Sequence, residues 1–168
     1  MITRPTWLTI GLLAALVAIG VVALAAGRAP KQFSLRDPTV VGDEIGDFYV
    51  KMVGQTSAAV TDLSNPQAVQ ANVDRLRHRY VDLFVKLGRE REALGPADKD
   101  DCDAAANSRM QRAPQAQLDA ILTYARTHES TDKALADELR SMLRLEEYAN
   151  LGQLRAHQPR EAARVGVI

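Results

Sequence analysis

From Trp7 to Ala26 the chain is apolar save for Thr9, and no charged residue lies between Arg4 and Arg28. A helix of about 20 residues spans ~30 Å, the thickness of a bilayer's hydrocarbon core. Trp7 stands where an interfacial aromatic belongs, and Arg28 and Lys31 follow at the other boundary. The run predicts a membrane-inserted helix with the lipid bilayer as its partner. Ala23-Leu24-Ala25 also fits the small-x-small pattern of a cleaved signal peptide, while the length of the run favours an uncleaved anchor. The basic flank of Arg28, Lys31 and Arg36 would keep the remainder of the chain in the cytoplasm by the positive-inside rule. A short basic N-tail ahead of an apolar run is instead built like an export signal, and we expect an extracytoplasmic domain, secreted or periplasmic if the segment is cleaved.

Behind this segment the pattern changes from continuous to periodic. Residues 28–41 carry Pro30 and Pro38 without periodicity and read as a tether after an N-terminal segment 1–27. Apolar residues then recur every three or four positions. Ile45, Phe48, Met52, Ala59, Val60 and Leu63 outline a first helix from Asp43 to Leu63. Asn65-Pro66 supplies a cap and a first-turn proline for a second, whose stripe is Val69, Val73, Leu76, Tyr80, Leu83, Leu87 and Leu94, closed by Gly95-Pro96. A third helix runs from Ala97 to a break at Pro114, and a fourth from Gln115 to His128. Ser130-Thr131-Asp132 caps a last, long helix carrying Leu135, Leu139, Met142, Leu143, Leu151 and Leu154 to Pro159. No stretch alternates with period two. The expected fold is therefore all-α, an antiparallel bundle of four to five helices over 42–158 with a C-terminal tail 159–168.

Composition narrows the function classes. Acidic and basic residues balance at 21 each, so no net field draws the protein to nucleic acid, and aromatics at 5% are too sparse for base stacking. Arg75, Arg77, Arg79, Lys86, Arg89 and Arg91 form a basic run, but helical geometry disperses it: Arg75 shares a face with Arg79 while Arg77 lies elsewhere. The cluster Asp98, Asp100, Asp101 and Asp103 fails as an EF-hand loop, since the sixth position is Asp103 and the twelfth Arg109. Acidic residues suit a helix start without any ion. Cys102 is the single cysteine, which excludes an internal disulfide and Cys-rich zinc sites. His78, His128 and His157 form no metal-binding pair on one helix.

No catalytic set, metal site or cofactor is expected from these residues. An enzyme would require Cys102, His128, Glu146 and Glu147 to converge, with Glu146 and Glu147 otherwise reaching solvent from the edge of the last stripe. The layout of an exported bundle with a Met early in its first helix and a His late in its last resembles the four-helix b-type cytochromes. That resemblance implies haem, with Met52 and His157 as axial ligands. The leading expectation is a non-enzymatic interaction or structural module of the cell envelope, with a protein partner and self-association both compatible with its helix faces.

Overall fold

A computed structural model describes residues 36–62 and 65–167. The apolar segment Trp7 to Ala26 and most of the tether lie outside the described residues, as do Leu63 and Ser64. Among the described residues the structure is helical throughout, and no helix is long and apolar enough to cross a membrane. In chain order the helices are α1 (Pro38–Asp62), α2 (Pro66–Glu92), α3 (Pro96–Met110), α4 (Gln115–His128), α5 (Lys133–Met142), a 3₁₀ turn (Leu145–Ala149), α6 (Leu151–His157) and α7 (Pro159–Arg164).

Proline starts four of them for one physical reason. A helix leaves its first N–H groups without internal partners, so a residue lacking that N–H, with φ already helical, loses nothing there. Asn65 accepts from the Gln67 N–H ahead of α2. Asp37 does the same ahead of α1, its carboxylate accepting from the Thr39 N–H at 2.9 Å. The helix therefore begins at Pro38, and the last residues of the expected tether belong to it: Val41 is fully buried.

The long helices α1 and α2 form an antiparallel hairpin, with Arg36 paired to Glu90 at one end and Tyr80 donating to Gln55 nearer the other. Against it lie two layers that depart from a simple antiparallel bundle. α3 runs parallel to α1, because Gly42 faces Cys102 and Ala105 while Gly46 faces Ala106 and Arg109. The C-terminal third runs parallel to α2, with Glu138 against Gln70, Ser141 against Arg77 and Arg155 against Glu92. Missing side chains at Gly42 and Gly46 let α3 approach the α1 backbone closely.

The long final helix expected from Asp132 to Pro159 is divided. Leu139, Met142, Leu145, Tyr148, Leu151 and Leu154 are all buried and follow one another by steps of three. A continuous α-helix of 3.6 residues per turn would rotate that stripe away from the core. The 3₁₀ turn, at three residues per turn, keeps it facing α2, and Asn150 restarts the α-helix by accepting from the Gln153 N–H. Of the expected tail 159–168, the described residues 159–167 fold onto the bundle. Pro159 instead opens α7, and Ala162 and Val167 pack into the core, because a proline that ends one helix can begin the next.

Candidate functional site

Three of the hollows on the described surface are set apart by their charges. Two share a wall of Arg144, Glu147 and Gln158 along the divided C-terminal segment. The first, about 270 Å³, brings together Arg77, Arg140 and Arg144 with Ser141 and Tyr148. Three guanidinium groups suggest an anion site, but each already meets a carboxylate. Arg140 pairs with Glu129 and Asp137, Arg144 pairs with Glu147, and Arg77 lies 3.9 Å from Glu161. Arg77 also donates to Ser141 Oγ at 2.7 Å and to the Tyr148 hydroxyl. Tyr148 in turn donates to Glu161, which Arg164 and this hydroxyl together hold down to about 2. This network fastens the C-terminal layer to α2, and its cations are spent within it.

The third hollow lies between α1 and α2 towards their connection. It measures about 460 Å³ and is lined by Gln55, Ala58, Ala59 and Asp62 from α1 and by Asn72, Arg75, Leu76 and Arg79 from α2. The antiparallel register makes it. Two alanines on α1 face Leu76, leaving an aliphatic floor where larger side chains would have filled the groove. Gln55 is held in its wall by the Tyr80 hydroxyl, at 3.1 Å. Arg75 and Arg79, one helical turn apart, are both exposed along one rim. Neither forms an ion pair among the described residues, a state they share with Arg89, Arg112, Arg126 and Arg160, and Arg79 lies 5.9 Å from the centre of the Tyr80 ring; Arg36, Arg77, Arg91, Arg109, Arg140, Arg144, Arg155 and Arg164 are all paired. The acidic residue in the lining, Asp62, is outnumbered by the two cations. The groove thus combines a floor of small and aliphatic side chains with an excess of positive charge.

The residues singled out in the sequence are scattered. Cys102 is fully buried between α3 and α1, and burial, reinforced by Asp103, pushes its thiol up and away from reactivity. His128 stacks on Tyr124 at a ring separation of 4.0 Å. Glu147 lines the C-terminal hollows and pairs with Arg144. None of Cys102, His128 and Glu146 lines any of the three hollows. Met52 is fully buried in the core, while His157 is exposed and borders the second C-terminal hollow. Asp103 of the acidic cluster receives a two-point ion pair from Arg91, and no group of three or more metal-ligating side chains occurs among the described residues.

Glu146 differs from the expectation that it reaches solvent. The 3₁₀ turn rotates it inward, where Oε2 is buried without a hydrogen-bond partner. Loss of water raises its carboxyl to about 7, with the neighbouring Glu147 charge adding to the rise and Arg144 opposing it. The Tyr49 hydroxyl of α1, pushed up chiefly by burial, feels the same charge. No family model matches the sequence, and no curated protein and no solved structure matches it either.

Proposed function

We propose that this protein is a non-enzymatic interaction module of the cell envelope, a helical bundle held at a membrane by residues Trp7 to Ala26 and facing the extracytoplasmic side. The observation that supports the reading is the α1–α2 groove, where Ala58, Ala59 and Leu76 are bordered by Arg75 and Arg79, neither of which forms an ion pair among the described residues. The groove also lies towards the far end of α1 from Arg36, where the described chain begins.

The test is affinity purification of the tagged full chain from cross-linked, mildly solubilised membranes, beside a control carrying only residues 1–35. The reading predicts at least one protein recovered reproducibly with the full chain and not with the control. Identical recoveries, together with no concentration-dependent self-association, would remove it.

A further inference from the structure

The chemistry of the groove narrows what it accepts. Arg75 and Arg79 sit at i and i+4 on α2, so their side chains leave the helix roughly 5–6 Å apart at Cβ. Leu76 lies between them in sequence and is nearly buried, which places the apolar floor directly beside the cationic rim. Opposite, Ala58 and Ala59 keep the α1 wall low, and small side chains allow another helix to come close. A complementary occupant carries an apolar stripe for Ala58, Ala59 and Leu76, with carboxylates three or four residues apart beside it for the two guanidiniums.

We infer that the α1–α2 groove docks an acidic amphipathic helix of a partner protein, with its carboxylates on Arg75 and Arg79. The inference rests on the interaction-module reading and specifies its partner. Asp62 sharpens the fit: it stands at the α1 end of the groove and repels a carboxylate there, so the acidic side of the incoming helix is steered to the α2 rim. A basic helix would meet two like charges for one opposite. An acidic helix without an apolar stripe would leave the floor wet. A second copy of this chain is a weaker match: Asp98 and Asp101 of α3 stand three residues apart and outside the ion pairs of the described residues, but the apolar side chains of that helix, Cys102 and Ala106, are buried and offer no stripe for the floor.

A photo-cross-linking residue placed at the exposed Ala58 of the full chain, in membranes of the source cell, tests the contact directly. The adduct is digested and its partner segment sequenced, in the wild-type background and with Arg75→Glu plus Arg79→Glu. Both arginines are exposed and outside the ion pairs of the described residues, Arg79 touching only the outer face of the Tyr80 ring at 5.9 Å, so the double variant keeps the helical signature of the wild type, which circular dichroism verifies. The expected adduct is a helix-forming segment with acidic residues three or four apart beside an apolar stripe, and its yield falls at least ~10-fold in the double variant. Charge reversal of the mapped acidic residues to lysine restores it. An adduct with lipid, with a second copy or with a segment lacking those acids would overturn the inference. So would an adduct indifferent to the charge reversal, or no adduct at all. If a protein still co-purifies with the full chain in those cases, the interaction-module reading stands and the groove assignment alone falls.

Discussion

Gly46 of α1 lies against the backbone of Ala106 in α3, so closely that a methyl group there would stand 2.7 Å from the Ala106 carbonyl oxygen. One turn earlier, a methyl at Gly42 would stand 2.9 Å from the Ala105 side chain. The two helices are held together by contact between backbones, and the Arg109 guanidinium closes the seam by donating twice to Asp43 at 2.8 Å. Alanine is the better helix former by about 1 kcal/mol, so a Gly→Ala change on an unobstructed helix face stabilises. At Gly46 the added carbon meets backbone that cannot yield, and Gly46→Ala is expected to lower stability by about 1–3 kcal/mol. At Gly54 the nearest atom is the Gln117 side chain at 3.5 Å, and Gly54→Ala is expected to raise it by up to about 1 kcal/mol. Urea unfolding of both variants reads the difference, and a stabilised Gly46→Ala would contradict the close helix pair.

Glu146 sets a pH dependence of unusual sign for a carboxylate. Its folded value of about 7 lies above the ordinary 4.5, so between those limits the folded chain holds a proton that the unfolded chain has released. The stability this supplies is complete below pH 4.5 and is lost as pH rises through 7, an effect on the order of 2 kcal/mol. Glu161 runs the other way: held down to about 2, it contributes stability above 4.5 that is lost as pH falls towards 2. Glu146→Gln is expected to remove the decline between pH 5 and 8 while leaving the acid limb in place. Denaturation midpoints of wild type and variant across that range give the result, and parallel curves would show that Glu146 is hydrated.

Arg91 is the least exposed of the ion-paired arginines among the described residues, its side chain only 12% accessible and both bonds to Asp103 at 2.6 Å. Asp103→Ala strands a nearly buried guanidinium and is expected to cost about 1–3 kcal/mol. Lys133 pairs with Asp137 as well, but at 72% and 52% exposure water competes throughout. Lys133→Ala is expected to change stability by less than about 0.5 kcal/mol. Thermal unfolding of the two variants at low and high salt separates the cases, and equal losses would mean that burial does not govern these pairs.

Local chemistry is readable in the sequence where one residue decides the outcome. Asn65-Pro66 and Pro114 bound helices whose ends agree with the sequence pattern, because caps act within a few residues. Asp37-Pro38 and Asn150 carry the same grammar, yet the prolines around the first read as tether and the second sits inside an apparently continuous stripe. The three-residue spacing from Leu139 to Leu154 is the signal for a 3₁₀ turn, and it also carries the inward rotation of Glu146. The parallel seating of α3 is not legible, since Gly42 and Gly46 reveal a close approach but not the helix that makes it. The groove is half legible. Helical spacing puts Arg75 beside Arg79, whereas the α1 alanines opposite and the lack of a carboxylate partner come from the hairpin register, which no local pattern encodes.

Attachment of this bundle to a membrane through Trp7 to Ala26 is decided by the N-terminus of the mature chain. N-terminal analysis of protein recovered separately from membrane and soluble fractions is the direct measurement. Intact Met1 in the membrane fraction, with the bundle accessible to protease from the extracytoplasmic side, is the predicted result. A chain beginning near Ala26 and recovered in the soluble fraction would contradict the anchor.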